Sequence, residues 1–382
     1  MADAMLVLSP WGTAGAYSGP VVLQERLFGE VRAMSSTPVD LAYRRRSSGE
    51  PGARWSRRNL ELVRSDGFGI LAQISWAMRA SWLVLATRGR YSHIHLHGAY
   101  WVNLIPALMA SKSTSLVVLP VLEGGDLRTS GKWSSAAKRI LLRHIVRRAH
   151  RIYVLSDGIR AEALALGAEE QQVLRIANPV SDEFSVDRTA PPAEDFPLLF
   201  CGKLGPIKQP HLILEVVRRL RDVGVPARAI FVGPFINAEY EKKFRAASED
   251  VSEFITLVGY VSNASSVYSK SLAAFVLPSR AEGLPGALAE AMFSGLPSVV
   301  SDVGAMGDVI RRSGGGFVIS DVDEMVASLQ GLAANPDEWG VMSRGARDYA
   351  TAEFSTRAVA AAYLGGLEKG VEEEEGANGR AE

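Results

Sequence analysis

Short apolar runs alternate with amphipathic stretches along the whole chain, and that alternation restricts it to parallel sheets joined by helical crossovers, an α/β fold. In the first half the runs predict strands at Met5–Ser9, Val39–Tyr43, His93–His97, Ser115–Leu119, Arg151–Leu155 and Val173–Ile176. Between Ser181 and Asp195 the pattern lapses into Asp182, Glu183, Asp187, Pro191, Pro192 and Glu194, which reads as a linker. The second half restarts with Leu198–Cys201, Ala229–Val232, Ile255–Val258, Leu272–Leu277, Ser298–Val300 and Phe317–Ile319. At 382 residues the chain exceeds one ordinary core and fits two domains of roughly 150–200 residues. Two Rossmann-like domains are expected, over residues 1–180 and 196–353 with a linker at 181–195. Ligands should bind in a cleft between them, at the C-terminal ends of the strands. The chain closes with a helical stretch from Pro336 to Glu368, and the acidic tail 371–382, with Glu372 to Glu375 in a row, is expected to be disordered.

Composition excludes several classes. With 47% hydrophobic and 22% charged residues the chain is globular rather than disordered. Lys+Arg and Asp+Glu both number 42, so no global field draws nucleic acid. The single cysteine, Cys201, rules out an intramolecular disulfide and suits a reducing compartment; within an apolar strand it reads as a buried structural thiol. Met1-Ala2-Asp3-Ala4 has neither the basic region nor the apolar core of a secretory signal. No apolar run reaches the ~18 residues of a membrane span, and Ile70 to Thr87, which comes nearest, is broken by Gln73 and Arg79. A cytoplasmic protein, soluble or peripheral on the inner face of the cell membrane, is expected.

The chemistry concentrates in residues 278–302. There Pro278-Ser279-Arg280-Ala281-Glu282-Gly283-Leu284-Pro285-Gly286 follows a buried strand, and a short helix begins near Ala287, carries Glu290 and stops at Gly295. A strand feeding a glycine-rich turn and a helix N-terminus builds an anion site, because backbone N–H groups and the helix dipole point at the ligand. Carboxylates do not ligate phosphate. Glu282 suits a sugar hydroxyl near the phosphates and Glu290, one turn into the helix, a vicinal diol such as a ribose. The ligand these residues fit is a nucleotide sugar.

The pattern resembles the Glu, seven residues, Glu signature of the family 4 retaining glycosyltransferases, whose fold is GT-B: two Rossmann-like domains facing across a cleft, with a final helix crossing back to the first. The resemblance implies that residues 354–370 make that return. It covers the second domain throughout and the first in outline, where Asn178-Pro179-Val180 also fits. After the first strand of the second half comes Gly202-Lys203-Leu204-Gly205-Pro206-Ile207-Lys208-Gln209-Pro210, opening a helix at His211–Leu220. Alone this is a turn with two surface lysines. It matches the family's Gly-Arg-Leu…Lys-Gly element, which implies that Gly202, Lys203 and Lys208 hold the donor pyrophosphate. Lys203 replaces an arginine and keeps the charge without the bidentate fork, and Gln209 replaces a glycine. The loops at Gly233 and Tyr260 border the base in relatives, and Gly283, Leu284, Pro285, Gly286 and Ala287 line the phosphates with Glu290 on the ribose. Asp321-Val322-Asp323 has the spacing of a Mg- or Mn-binding motif, but it follows a strand and opens a helix, where Asp caps. It reads as a cap, no metal is predicted, and the only small-molecule requirement is the donor itself.

In the first domain the signals are thinner. Pro10 to Pro20 joins a strand to a helix without Gly-x-Gly-x-x-Gly spacing; the family's Gly-Gly pair falls near Gly19. Leu122-Glu123-Gly124-Gly125-Asp126 stands where relatives read His-Gly-x-Asp, so Glu123 replaces the histidine and Asp126 is kept as an acceptor contact. His93, His95 and His97 alternate along one strand face; without a completing ligand set they do not make a metal site, and relatives place the last, His97, toward the acceptor. Residues 128–151 hold Arg128, Lys132, Lys138, Arg139, Arg143, Arg147, Arg148 and Arg151 with no acid, beside Trp133, Ile140, Leu141 and Ile145. Such a helix can dock on an anionic bilayer or simply pack its apolar side on the sheet. Arg44, Arg45 and Arg46 fall in a first-domain loop, Tyr43–Arg58, expected to shape the acceptor pocket.

The function expected is transfer of a sugar from a UDP- or GDP-sugar to a glycan, lipid-linked or small-molecule acceptor. The resemblance adds retention of anomeric configuration. Lys203, Lys208 and the helix N-terminus would stabilise the leaving diphosphate and Glu282 the sugar. A GT-B-type sugar-nucleotide epimerase, or a non-catalytic nucleotide-sugar-binding partner subunit, are the alternatives: the first would isomerise donor without acceptor, the second would bind without turnover.

Overall fold

The computed structural model describes residues 4–11, 19–46, 52–120, 127, 134–192, 194–261 and 263–378. The chain divides into two compact units, Met1–Pro179 with Thr356–Glu382, and Val180–Ser355. In the first unit the elements run β1 (Met5–Ser9), α1 (Gly19–Met34), β2 (Val39–Arg45), β3 (Arg58–Arg64), α2 (Ile70–Ala86), β4 (His93–His97), α3 (Trp101–Leu108), β5 (Ser115–Leu119), α4 (Ser134–Arg148), β6 (Arg151–Val154), α5 (Asp157–Ala165) and β7 (Val173–Arg175). Its seven strands lie parallel in the order β3-β2-β1-β4-β5-β6-β7. The central strands are apolar on both faces, as a sheet covered by helices on each side requires: Leu6, Val7, Leu8, Leu96, Val117, Val118 and Ile152 are fully enclosed.

The second unit runs β8 (Phe196–Cys201), α6 (His211–Asp222), β9 (Ala227–Val232), α7 (Ala238–Ala247), β10 (Ile255–Gly259), β11 (Ala274–Leu277), α8 (Gly286–Phe293), β12 (Ser298–Ser301), α9 (Met306–Ser313), β13 (Gly316–Ile319), α10 (Val322–Ala334) and α11 (Pro336–Phe354). Its six parallel strands are ordered β10-β9-β8-β11-β12-β13. Connections run outward in one direction from β8 and in the other from β11, so the topological switch lies between these two neighbours. The last helix, α12 (Thr356–Asn378), packs on α1 in the first unit and buries Val359, Ala360 and Tyr363 there.

Four expectations change. The segment expected as a loop at Tyr43–Arg58 supplies the end of β2, and β3 follows it; β3 hides from a search for apolar runs because as an edge strand it buries only Leu62 and Val63. The segment read as a linker belongs to the second unit. Phe184 is buried against Tyr268, and the buried Arg188 guanidinium donates to the carbonyls of Ser294 and Leu272. The acidic tail expected to be disordered is helical in backbone to Asn378, Glu being a good helix former that extends a helix already nucleated. In α4 the apolar residues Leu142, Ile145 and Val146 face the core, leaving Ile140 exposed, while Arg148 donates to Ala107, Ala110 and Ser111 carbonyls and Arg151 to those of Gly366 and Gln171. Two of the eight basic side chains read as a docking face are therefore structural ties. Residues 128–133 lie outside the described residues.

Candidate functional site

Three adjacent strands of the second unit run into glycines, Gly202 just after β8, Gly233 just after β9 and Gly259 at the end of β10, and their turns interlock. Gly202 N–H donates to Val232 O at 2.8 Å and Gly233 N–H to Gly259 O at 2.7 Å. A Cβ on Gly233 (φ +129°) would stand 2.1 Å from the Gly202 carbonyl oxygen. No larger residue fits that approach, which holds the β8 and β9 loops together at one end of the sheet. At Gly202 (φ +149°) an added Cβ would meet the Lys208 stem at 3.0 Å, so the missing side chain is what lets Lys208 fold back over the strand end.

The loop after β8 and the loop after β11 meet at the switch point. Arg280 N–H donates to Ile207 O at 2.8 Å. Lys208 Nζ pairs with the Glu282 carboxylate, both side chains largely sheltered, and Ser279 Oγ donates to the same carboxylate oxygen at 3.0 Å. Gln209, at the position where the resemblance implies glycine, sits at φ +48°, a left-handed conformation that costs a residue with a side chain of order 1 kcal/mol. With its amide oriented to satisfy both neighbours, that side chain donates to Pro278 O and accepts from Arg280 Nε, each at 3.2 Å. Beneath the loop Gly304 (φ +57°) comes so close to the Glu282 and Gly283 carbonyls that a Cβ would lie 2.1 Å from the first. The Glu282 carboxylate is thus held by Lys208 and Ser279, and its backbone by the close approach of Gly304.

Helix α8 opens at Gly286 after Pro285 in extended conformation, and no side chain caps it. Its first N–H groups and dipole are directed to the same end of the sheet, the arrangement that binds phosphate. One turn in, Glu290 accepts a hydrogen bond from Tyr268 Oη at 3.2 Å, and the same hydroxyl lies 3.3 Å from Ala287 O. Burial keeps the Tyr268 phenol well above its usual range, so it remains a neutral donor. The Cys201 thiol beside it is pushed up to about 12 by burial and by the Glu290 carboxylate, which makes it an inert structural group. Leu284 is buried, whereas Gly283, Pro285, Gly286 and Ala287 are partly open. Lys203 is exposed, and Tyr260 is exposed just beyond β10. The structure therefore gathers Gly202, Lys208, Gly233, Glu282, the 283–287 turn and Glu290 at the C-terminal ends of β8, β9 and β11. Asp321 caps α10 by accepting from Glu324 N–H at 2.9 Å, and Asp323 pairs with Arg219. Sequence reasoning gave no role to Tyr268, Ser279 or Gly304; Ser279 lies within the quoted 278–286 stretch and Gly304 close to it, whereas a lone buried tyrosine has no local signature.

The first-unit candidates fare differently. Glu123 and Asp126 lie outside the described residues, as do residues 12–18 of the loop that ends at Gly19, the first residue of α1. His97, expected to border the acceptor, is fully buried; its Nε2–H donates to Pro20 O at 2.7 Å, tying β4 to the start of α1. Desolvation lowers it to about 4, so it stays neutral at pH 7. His95 hydrogen-bonds Tyr363 of α12 at 2.9 Å. The alternating histidines thus face the interior, where two of them anchor helices.

Comparison with known proteins bears on both units. The family model described as Glycosyl transferases group 1 matches residues 195–335, and that described as Glycosyl transferase 4-like domain matches residues 21–179. The lipopolysaccharide core biosynthesis mannosyltransferase LpsB of Rhizobium meliloti (strain 1021) is 32% identical over 143 residues, covering 34% of this chain and 39% of its own. The UDP-Gal:alpha-D-GlcNAc-diphosphoundecaprenol alpha-1,3-galactosyltransferase of Escherichia coli is 26% identical over 141 residues, 35% of each chain. The chain thus spans little more than a third of the length of these curated relatives. In fold it is similar to Anabaena Alr3699/HepE, crystallised with UDP, with a TM-score of 0.74 at 14% identity over 97% of this chain and 100% of that one.

Proposed function

Since the chain belongs to the group 1 glycosyltransferases and has two Rossmann-like units of the GT-B type, we propose that it moves a hexosyl group from a UDP- or GDP-sugar to a glycan or lipid-linked acceptor with retention of anomeric configuration. The observation that carries the reading is the pairing of Lys208 with Glu282 at the switch point, beside the uncapped N-terminus of α8. A cation and a carboxylate side by side answer the two demands of the reaction. Lys208, with Lys203 and the N–H groups of Gly286 and Ala287, neutralises charge that grows on the leaving diphosphate. Glu282 accepts from sugar hydroxyls and stabilises positive charge developing at the anomeric carbon. Glu290, aligned by Tyr268, takes the ribose diol. Enclosure of the sugar from water protects the donor from hydrolysis. No metal enters this reading, and none is needed where lysines and a helix terminus supply the positive charge.

The HepE complex with UDP and the UDP-Gal in the name of the Escherichia coli relative support a nucleotide sugar as donor. The diphosphoundecaprenol-linked acceptor in the name of the Escherichia coli relative supports a lipid-linked acceptor class. We place the protein in the cytoplasm, peripheral to the inner face of the cell membrane, where donor and such acceptors meet. The test is turnover of UDP- and GDP-sugars with a lipid-linked sugar acceptor, with product anomeric configuration read by proton coupling. Acceptor-dependent transfer with retention is expected, reduced at least about 100-fold in Lys208→Ala. Isomerised donor without acceptor would establish the epimerase instead, and binding without turnover the partner subunit.

A further inference from the structure

Helix α2 carries apolar side chains on more than one face, yet the fold buries only part of them. Trp76, Ala77, Ala80 and Val84 face the core, while Leu71 is 79% exposed, Met78 68% and Trp82 70%, with Ile74 and Leu85 also open. At 100° per residue these five side chains fall within an arc of about 80°, a continuous stripe along the helix. The segment is too interrupted to cross a membrane, and no helix among the described residues is long and apolar enough to do so. Nor does α2 carry an acidic residue; its single charge, Arg79, flanks the stripe.

The surroundings are basic. From Gly67 to Ser156 the sequence has twelve Lys and Arg residues against two acids, Glu123 and Asp126, in a chain whose total charge balances. Helix α2 packs on α3 and α3 on α4, so this acid-poor stretch forms neighbouring helices. Arg90, Lys112, Arg143 and Arg147 are exposed on it, as are Arg79 and Arg88, each of which also donates one hydrogen bond to a carbonyl, of Leu62 and of Met109. An exposed apolar ridge bordered by cations matches an anionic bilayer, which offers hydrocarbon to the ridge and phosphate to the border. A second copy of the chain is a poor occupant, because a two-fold contact would set the same cations against each other.

We propose that α2 is the membrane-docking element, its Leu71–Ile74–Met78–Trp82–Leu85 stripe sinking into the headgroup boundary of an anionic bilayer while the neighbouring arginines hold the lipid phosphates. This differs from the docking face considered at residues 128–151, of whose apolar residues Ile145 is buried in the core and Ile140 stays exposed. It extends the peripheral location read above and rests on that reading only for where the bilayer is met.

The test uses the full chain with vesicles of phosphatidylcholine alone or mixed with phosphatidylglycerol. Wild-type protein is expected to sediment with the mixed vesicles and to be released by salt. The double variant Met78→Glu/Trp82→Glu is expected to bind them at least about tenfold more weakly, with the thermal shift on adding nucleotide unchanged. Should that variant fail to fold, brominated acyl chains are expected to quench tryptophan fluorescence less in Trp82→Phe than in wild type. Wild type that stays in the supernatant, a double variant that sediments equally, or a dimer that the double variant converts to monomer would each overturn the proposal. Vesicle binding by a chain that shows no nucleotide shift would leave this proposal standing and remove the donor reading instead.

Discussion

Glu290 is held by a tyrosine enclosed in the second unit. Tyr268 is enclosed against Phe184 and spends its hydroxyl on Glu290 and the Ala287 carbonyl. Tyr268→Phe keeps the ring packing and removes one hydrogen bond, of about 1 kcal/mol. Nucleotide affinity is expected to fall several-fold with a small change in melting temperature, by calorimetric titration. His97 is a titratable group fully enclosed in the first unit. Its proton affinity is lowered to about 4 by burial, so as pH falls the unfolded chain binds the proton first. The stability of neutral pH is therefore lost progressively as pH drops from the ordinary histidine value toward about 4, by on the order of 3 kcal/mol. His97→Gln keeps a donor for Pro20 O, and its urea midpoint is expected to depend less on pH across that range.

At the scale of elements, much was legible because parallel strands announce themselves as apolar runs. Strands at Met5–Ser9, His93–His97 and Ser115–Leu119 appear where the pattern puts them, and the turn from 278 to 286 leads into α8 as its glycines and prolines require. What escaped was structure stabilised by distant partners. β3 buries two residues and pairs with β2, so its sequence reads as polar. The segment 181–195 has linker composition, but Phe184 and Arg188 fix it to α8 and the strand before it. Gln209 departs from glycine in sequence and still adopts the glycine conformation. Arg188→Ala leaves the Ser294 carbonyl at the end of α8 without its buried donor; a loss of about 2–4 kcal/mol is expected in urea unfolding. Alongside it nucleotide binding should weaken, because α8 carries Glu290.

Across the molecule, the chain passes between its units at 179–180 and again at 355–356, and Val180 N–H donates to Phe354 O at 2.7 Å beside those crossings. Helix α12 belongs to the first unit by its packing: Tyr363 lies between His95 and Tyr153, and the buried Arg151 donates to Gly366 O. Tyr363→Ala is expected to lower the stability of the first unit by about 3–5 kcal/mol. If the units unfold separately in calorimetry, the variant should shift one transition and nucleotide the other. The central claim is a nucleotide-sugar site in the second unit, with Glu290 on the ribose and Lys208 on the diphosphate. Calorimetric titration of UDP and GDP into wild type, Glu290→Ala and Lys208→Ala tests it most directly. Binding of one nucleotide, weakened about 10- to 100-fold by either substitution, is the result expected; equal affinity in all three proteins, or no binding to wild type, would contradict it.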